Sequence, residues 1–417
     1  MKICIMSYRF FTGGLTSSLI PLVRSLQKRN IDVDVMLFDN NFEFNETTKD
    51  LNIIINSSRK KKYSVLRIIP RIIIQTSALK KITKYLFKFI FYYLNTKINN
   101  DDSHNKSADY YFKKIQMTYG QAATRALVNL YTGIDDLSNY DHVIAWEEGF
   151  VTYFLADKVI AKNKISYIHP DYKKAMFDNE IDGYYLEKIN NICFVSNATK
   201  QSFDSVFPQF IDKSIVIYNL LDVKDIKYKS NINIPIFTKS DFDIITVCRL
   251  DNKSKAINRG IEIISKLISN GYKIIWYIAG EGPSEREIKK LINYYKMEDN
   301  IILLGNQTNP HPYTRKADLF MLQSYYEGMS LSVEEAKIIG TPVLITNFAS
   351  AKEQVEDNVT GFISENDTVS IYNKLCEILN NKDQLDEVRK NLRNMNYDKY
   401  YNNDKFISLL EGGKDAI

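Results

Sequence analysis

Two glutamates, Glu327 and Glu335, are separated by seven residues in a segment whose pattern suits binding chemistry. The apolar run over residues 318–323 predicts a buried strand. A turn rich in small residues follows, and then a helix that ends at Gly340. Such a turn aims backbone N–H groups at the strand end, and the helix dipole adds positive potential there. The pattern predicts an anion site beside two carboxylates, which accept hydrogen bonds from hydroxyl groups.

This block resembles the signature of family 4 glycosyltransferases, in which two glutamates flank seven residues and the fold is the two-domain GT-B type. The resemblance implies that Glu327 contacts the donor sugar and that Glu335 binds the ribose hydroxyls of the nucleotide. It also implies that the donor diphosphate is held by the amides around three residues, Met329, Ser330 and Leu331.

A structural interpretation of the same block is also open. Ser332 and Glu335 have the spacing of a capping box at the start of an ordinary helix. A glutamate pair at this spacing is weak evidence by itself. The complete block, with its strand and its Gly-Thr-Pro end, is more specific and favours the donor site.

Arg249 and Lys255 are the candidate cations for the diphosphate. Arg249 ends a predicted strand, and Lys255 lies six residues later in the loop before a helix. A guanidinium fork and an ammonium group can neutralise a diphosphate without a metal ion. The pair resembles the arginine and lysine that hold the diphosphate in family 4. Lys253 competes for the lysine role, and solvated loop charges are the alternative interpretation.

Gly14 and His169 are candidates in the first half of the chain. Gly13 and Gly14 open the first predicted helix, where a backbone without side chains lets a ligand approach. His169 ends a predicted strand and can donate to a sugar hydroxyl. Both resemble family features, which implies that Gly14 binds the donor and His169 is catalytic. A simple turn and a structural histidine are the alternatives.

The second half of the chain alternates apolar strands with amphipathic helices, which is typical of a parallel sheet covered on both faces. Strands are predicted over residues 243–249, 273–279, 300–304, 319–323, 342–346 and 361–364. The first half repeats the pattern, with strands over residues 2–6, 31–37, 142–145, 164–169 and 191–195. Gly280 and Gly282 lack the spacing of a dinucleotide-binding loop.

This alternation and the resemblance together imply an α/β protein of the GT-B type, with two Rossmann-like, doubly wound domains facing an interdomain cleft. The acceptor-binding domain is expected over residues 1–222. The domain that binds the nucleotide sugar is expected over residues 223–395. The last segment, residues 396–417, is expected to be a helix that returns to the first domain.

A basic insert interrupts the first domain over residues 57–100, which contain eleven Lys or Arg and no Asp or Glu. Lys80, Lys84 and Lys88 repeat at helical spacing. Apolar residues repeat on another side at Leu79, Ile82, Leu86, Ile90 and Tyr93. A basic amphipathic helix can lie on an anionic membrane; packing of its apolar stripe on the core is the alternative. Residues 95–106 are predicted to be a solvated loop.

Composition indicates a globular chain of 417 residues. Its four cysteines are far apart, which favours reduced core thiols over disulfides. No cluster has metal-ligand spacing, so we expect no metal and no other cofactor. No apolar run reaches the length of a membrane span, and none resembles a signal peptide. We expect a cytoplasmic protein, with possible peripheral attachment to the inner face of the plasma membrane and no nucleic-acid partner.

The resemblance implies a retaining transferase that moves a sugar from a nucleotide diphosphate, with UDP as the commonest donor nucleotide, to a glycan acceptor. The basic insert favours a lipid-linked acceptor in envelope or capsular polysaccharide synthesis. Two alternatives remain open. One is a non-catalytic GT-B partner that binds glycan or a sister enzyme. The other is a sugar-nucleotide epimerase, which would be expected to carry more acid and base groups.

Overall fold

The computed structural model describes residues 1–10, 13–39, 48–55, 80–90, 102–131, 134–233, 235–237 and 240–413, with the backbone alone for residues 102–109. The chain forms two compact units. The first contains Met1–Val195, Thr199–Ile217 and Lys405–Ile417. The second contains Ser196–Ala198 and Tyr218–Asp404. The main division therefore follows residue 217, where the sequence placed it after residue 222.

The first unit is built on seven parallel strands. They are β1 (Lys2–Ser7), β2 (Asp32–Leu37), β3 (Asn52–Ile55), β5 (His142–Ala145), β7 (Lys164–Ile168), β8 (Asn191–Phe194) and β9 (Ser214–Val216). Their order in the sheet is β3-β2-β1-β5-β7-β8-β9. The short strands β4 (Asp135–Asp136) and β6 (Val159–Ile160) pair separately. The central strands are almost continuously apolar because side chains on both faces are covered by the core.

Helices connect and cover these strands. They are Gly14–Lys28, residues 80–90, Asp102–Leu130, Phe150–Lys158, Tyr172–Ala175, Asn179–Leu186, Asn197–Asp204 and Asp404–Leu410. The predicted loop over residues 95–106 is wrong in its second part, because Asp102 begins a long helix. Ala122 and Ala126 of that helix are buried in the core. Tertiary packing thus overrides the weak helix propensity of its first turns.

The last segment is divided between the two units. We predicted one helix over residues 397–410, which is wrong, because the chain forms Tyr397–Tyr400 and Asp404–Leu410. Tyr397 packs in the second unit and donates to the carbonyl of Lys337 at 2.6 Å. Phe406 packs in the core of the first unit. The two halves are anchored in different cores.

The second unit contains a six-stranded parallel sheet. Its strands are β10 (Phe242–Val247), β11 (Ile274–Ala279), β12 (Ile301–Gly305), β13 (Leu319–Leu322), β14 (Val343–Thr346) and β15 (Phe362–Ser364). The order is β12-β11-β10-β13-β14-β15. All six strands predicted for this half are confirmed. The helices are Val223–Lys229, Asn252–Lys255, Ile257–Ser269, Glu285–Tyr295, His311–Lys316, Leu331–Ile339, Ala351–Gln354, Thr368–Asn380, Lys382–Asn394 and Tyr397–Tyr400.

The strand order of the second unit reverses at β10. The chain runs outward from β10 to β11 and β12, and then returns to place β13 on the other side of β10. Ile244 pairs with Leu319 and Ile245 with Phe320, so the loops that follow the two strands emerge side by side. Ligands of open α/β sheets bind at the carboxyl ends of strands at such a reversal.

The four cysteines are free thiols. Cys4 and Cys193 are buried in strands, and Cys376 lies in a helix. Cys248 lies one residue beyond the end of β10, where we had predicted a strand. Among the helices of the described ranges, none combines the length and apolar character needed to cross a bilayer.

A buried carboxylate, Asp182, lies in the core of the first unit. It accepts hydrogen bonds from the hydroxyls of Tyr153 and Tyr172, the second at 2.6 Å, and from Nε2 of Gln121 at 2.8 Å. Burial nevertheless raises the pKa of Asp182 from 3.8 to about 6, because desolvation of the charged form outweighs these hydrogen bonds.

This raised pKa makes stability depend on pH. The folded chain holds the Asp182 proton to higher pH than the unfolded chain, so the free energy of unfolding should fall as the pH rises from about 4 through about 6. In Asp182→Asn, the unfolding free energy should fall by about 2–3 kcal/mol less than in wild type over this pH range. The comparison is urea denaturation of wild type and variant across this range, with the exposed Asp212→Asn as control. Parallel curves for wild type and Asp182→Asn would contradict the prediction.

Candidate functional site

The loop that follows β13 is held in place by side chains from other elements. The carbonyl of Gln323 accepts from Nη2 of Arg259 at 2.6 Å. The carbonyls of Ser324 and Tyr325 accept from Nδ2 of Asn366 at 3.3 and 3.1 Å. Arg259 and Asn366 are joined to each other by a further bond of 2.8 Å. The loop is therefore fixed before any ligand binds, which favours precise placement of its side chains.

Glu327 and Lys255 meet at the end of this loop, although 72 residues separate them in sequence. Oε1 of Glu327 lies 2.5 Å from Nζ of Lys255 and 2.5 Å from Oγ of Ser324. Burial opposes the charged form of Lys255, but the Glu327 carboxylate together with Cys248 and Asp251 outweighs it, so the pKa of Lys255 is raised. Both side chains are largely buried and form a charge-assisted pair.

Lys255 ends the short helix Asn252–Lys255, where we had expected a loop. The amide of Tyr325 donates to the carbonyl of Ser254 at 2.8 Å and ties this helix to the loop after β13. Lys253 is exposed, and its side chain forms no hydrogen bond or ion pair with the described residues. The geometry thus favours Lys255 over Lys253 as the cation of the site.

Arg249 lies two residues beyond β10 and is exposed. Its guanidinium makes no hydrogen bond or ion pair within the part of the chain that the structure describes. The backbone on either side of it is fixed, since the amides of Cys248 and Leu250 donate to the carbonyls of Ala279 and Glu281 at 3.1 and 2.9 Å. A cation on a fixed backbone, without a protein partner, is suited to an anionic ligand.

Gly280 and Gly282 allow this close packing around Arg249. A Cβ atom on Gly280 would lie 1.9 Å from the carbonyl oxygen of Cys248, and one on Gly282 would lie 2.5 Å from the carbonyl oxygen of Leu250. Gly280 also has a φ of +143°, in the region that favours glycine. We predicted no function for Gly280 and Gly282 from the sequence; in the structure they position the loop that carries Arg249.

Gly280→Ala should therefore destabilise the protein strongly. The added methyl group must displace the backbone at Cys248, so we expect a loss of about 2–4 kcal/mol of unfolding free energy. Gly271→Ala is a matched control, because Gly271 also has a positive φ of +91° but its Cβ would meet nothing within 4 Å. That control should lose about 1 kcal/mol. Equal losses, measured by urea denaturation, would contradict the role of the close contact.

The helix Leu331–Ile339 begins without a side-chain cap. Its N-cap is Ser330, whose side chain makes no capping hydrogen bond. The alternative interpretation, a capping box of Ser332 and Glu335, is therefore wrong, because Ser330 and not Ser332 is the N-cap. Without a cap, the first amides of the helix remain available to a ligand at its positive end.

The three amides predicted to bind the diphosphate differ in the structure. The amide of Ser330 already donates to Oε1 of Gln354 at 3.0 Å, and Nε2 of Gln354 donates back to the Ser330 carbonyl at 2.9 Å. The amides of Met329 and Leu331 have no hydrogen-bond partner among the described residues. The amides of Met329 and Leu331 can thus still donate hydrogen bonds to a diphosphate, whereas the amide of Ser330 already donates to Gln354.

Glu335 lies within the same helix and pairs with His311. The distance from Oε2 of Glu335 to Nε2 of His311 is 3.4 Å, and both side chains are largely buried. His311 begins the helix His311–Lys316, where its amide donates to Oδ1 of Asn309 at 3.3 Å. Sequence reasoning assigned nothing to His311. The pairing restricts Glu335 to one orientation.

The first unit carries the other two predicted residues at the carboxyl edge of its sheet. Gly14 begins the helix Gly14–Lys28 and is exposed. The N-cap is Gly13, which has no side chain to cap the first amides of the helix. His169 directly follows β7. Its ring packs against Trp146 and Tyr167, with centroids at 5.7 and 5.8 Å. Neither ring nitrogen has a hydrogen-bond partner within the described residues.

Two carboxylates beside His169 were missed from the sequence. Glu147 and Glu148 follow β5, the neighbour of β7. Burial raises the pKa of Glu147, although its Oε1 accepts from the amide of Tyr8 at 2.6 Å. Burial acts in the same direction on Glu148, but the neighbouring His169 and hydrogen bonds from backbone amides outweigh it, so the pKa of Glu148 is lowered. The signal was present, since Glu147 and Glu148 lie two and three residues beyond the end of a predicted strand.

Residues 229–395 match the family described as Glycosyl transferases group 1. A Staphylococcus aureus poly(ribitol-phosphate) alpha-N-acetylglucosaminyltransferase is 28% identical over 171 residues, which are 40% of this chain and 34% of that protein. A Campylobacter jejuni N-acetylgalactosamine-N,N'-diacetylbacillosaminyl-diphospho-undecaprenol 4-alpha-N-acetylgalactosaminyltransferase is 30% identical over 183 residues, 44% of this chain and 47% of that protein. The chain thus spans less than half the length of either relative.

Solved structures resemble the chain over almost its whole length. A mutant of S. aureus TarM, in complex with Fondaparinux, alpha-GlcNAc-glycerol and UDP, superposes with a TM-score of 0.67 at 16% identity, covering 99% of each chain. This likeness, together with the two parallel sheets, confirms the expected α/β fold of the GT-B type.

Proposed function

We propose that this chain, which has the GT-B fold, is a retaining glycosyltransferase of the family 4 type that moves a sugar from a nucleotide-diphosphate donor to a hydroxylated glycan acceptor. The observation that carries the proposal is the buried pair of Lys255 and Glu327 at the strand-order reversal of the second unit. Arg249 and the amides of Met329 and Leu331 belong to the same donor site.

The donor diphosphate is the ligand that suits these groups. Lys255 and Arg249 supply positive charge, and the amides of Met329 and Leu331 supply hydrogen-bond donors at a helix N-terminus. Glu335, held by His311, accepts hydrogen bonds from the ribose hydroxyls. The nucleotide is UDP in this proposal, because the S. aureus TarM structure contains UDP. The donor site needs no metal ion, since protein cations neutralise the leaving group.

Transfer with retention then follows from charge stabilisation and positioning. The bond between the anomeric carbon and the diphosphate breaks, the acceptor oxygen bonds to that carbon from the same face, and the proton of the acceptor hydroxyl is released to solvent. Lys255 and Arg249 stabilise the negative charge that develops on the leaving diphosphate. Glu327 orients the sugar, and His169 contributes a hydrogen bond at the acceptor. The acceptor is a lipid-linked glycan in envelope or capsular polysaccharide synthesis, in keeping with the undecaprenol-linked acceptor named for the C. jejuni relative.

A lipid-linked acceptor requires the enzyme to work beside a membrane, and the helix over residues 80–90 has the chemistry for this. Lys81 faces the protein, with Nζ 2.9 Å from Asp178 and 2.8 Å from Glu180. Phe87 is 71% exposed, and Leu86 is 45% exposed. One interpretation of the sequence required the apolar stripe to be buried in the core. The exposure of Leu86 contradicts that interpretation. Leu79 and Tyr93 of the predicted stripe lie outside the described residues.

Positive charge accompanies these exposed apolar side chains. Lys80 and Lys84 are exposed on the same helix. Each lysine contributes about 1 kcal/mol near an anionic bilayer. We therefore propose peripheral attachment of this helix to the inner face of the plasma membrane.

Liposome flotation tests the attachment. Wild type should float with anionic vesicles at low salt, should remain below with neutral vesicles, and should be released as salt rises. Phe87→Ser combined with Lys84→Gln should reduce flotation, whereas Lys290→Gln, on an exposed helix face of the second unit, should not. Equal flotation of all three proteins, or none by wild type at low salt, would exclude this surface.

The transferase itself is tested with the sugar nucleotides. Purified protein is titrated with UDP by calorimetry and incubated with a panel of UDP-sugars, and released UDP and the recovered sugar are analysed. Binding of UDP with slow release of free sugar supports the proposal. An altered sugar still attached to UDP would indicate an epimerase. Absence of both binding and turnover would indicate a non-catalytic partner.

A further inference from the structure

We propose that Glu148 is a positioning residue that keeps the proton of the neutral His169 ring on Nδ1, so that Nε2 accepts a hydrogen bond from the acceptor hydroxyl. The acceptor part of this inference rests on the proposed transferase function. The tautomer itself depends on the contacts at the carboxyl edge of the first sheet.

One carboxylate oxygen faces two groups of the same residue. Oε2 of Glu148 accepts from the backbone amide of His169 at 3.3 Å and lies 3.8 Å from Nδ1 of its ring. A carboxylate has lone pairs and no proton to donate, so it favours an N–H group at Nδ1. In a neutral imidazole the second nitrogen then carries a lone pair.

Neither ring nitrogen forms a hydrogen bond with the described residues, and of the two only Nδ1 has a carboxylate oxygen of those residues within 4 Å. Nε2 of His169 is buried and forms no hydrogen bond with the described residues. The ring is packed between Trp146, at 5.7 Å and 63° between planes, and Tyr167, at 5.8 Å and 24°. These rings restrict rotation of the imidazole. A buried polar atom without a partner is uncommon in folded proteins, and a ligand that donates a hydrogen bond would satisfy it.

Hydroxyl groups are the ligand chemistry that this edge selects. The Nε2 lone pair and the carboxylate of Glu148 both accept hydrogen bonds, and both repel a phosphate oxygen. Glu147 adds a further carboxylate, with its Oε1 accepting from Ser7 at 3.0 Å. The group that enters beside His169 is therefore a neutral sugar hydroxyl and not a phosphate terminus.

The tautomer can be measured without an acceptor. Protein labelled with ¹⁵N-histidine contains four histidines, and His169→Asn identifies the signals of His169. Above neutral pH, wild type should show a protonated Nδ1 and an unprotonated Nε2. Glu148→Ala should move the proton to Nε2 or mix the tautomers. Glu148→Gln should keep it on Nδ1, because its amide oxygen still accepts.

Glu187→Ala, an exposed substitution in the same unit, should leave the His169 signals unchanged. A wild-type ring with its proton on Nε2, or a Glu148→Ala ring identical to wild type, would overturn the proposal. This readout does not depend on turnover, so it separates the role of Glu148 from the transferase function.

Kinetics then test the role in the reaction. Release of UDP from the UDP-sugar that wild type turns over, with water as acceptor, should lose about tenfold in kcat in Glu148→Ala, with unchanged donor KM. Glu148→Gln should recover most of the rate. UDP binding should be equal in all three proteins. Unchanged kcat in Glu148→Ala would contradict the positioning role, whereas failure of wild type to bind UDP would contradict the proposed function alone.

Discussion

Glu327→Ala should lower kcat for UDP-sugar turnover by about 10²–10³-fold without weakening the binding of UDP. The carboxylate lies between Lys255 and Ser324 on a loop that is fixed before ligand binds. In the proposed reaction it orients the sugar, which UDP lacks. Its removal also releases Lys255 from an ion pair, so the cation becomes more available to the diphosphate. UDP affinity should therefore be equal to wild type or higher.

The measurement combines calorimetric titration with UDP and a turnover assay on the same preparation. Glu298→Ala is a matched control, because Glu298 is exposed in the same unit. Thermal melting must show that the variant is folded, since it leaves a largely buried lysine without its carboxylate. A Glu327→Ala protein with wild-type kcat, or one that has lost UDP affinity while folded, would contradict the assignment of Glu327 to the sugar.

Lys255→Ala should differ from Glu327→Ala, because it should weaken UDP binding as well as turnover. The lysine is proposed to bind the diphosphate, so UDP affinity should fall together with kcat. The total loss of transition-state stabilisation should be about 2–4 kcal/mol. Exposed Lys290→Ala, in the same unit, should change neither quantity. Loss of turnover at unchanged UDP affinity would contradict the proposed contact between Lys255 and the diphosphate.

The double variant Lys255→Ala/Glu327→Ala tests whether the pair acts as one unit. The two side chains touch at 2.5 Å, so their effects on kcat/KM should not be additive. Each single variant leaves a charged partner behind, and the double variant leaves none. It should therefore lose less than the product of the two single losses. Strict additivity would show that the contact has no part in the reaction.

Local patterns were sufficient for the strands of the second unit. Strands such as β10 and β13 are short apolar runs between amphipathic helices, and burial on both faces of a parallel sheet produces that pattern directly. Their residues therefore predicted the sheet, and the glutamate block predicted a site at its carboxyl edge. The long helix Asp102–Leu130 was missed because its first turns favour loops, and packing of its later residues decides the outcome.

What sequence alone determined here is the class of fold and the identity of the charged groups after β10 and β13, because strand and helix periodicity and residue chemistry are local properties. Tertiary structure decided which of those groups meet. It paired Glu327 with Lys255, Glu335 with His311 and Glu148 with His169, and it occupied the amide of Ser330. Partners far apart in the chain are brought together by strand order and loop packing, and neither is encoded in the spacing of neighbouring residues.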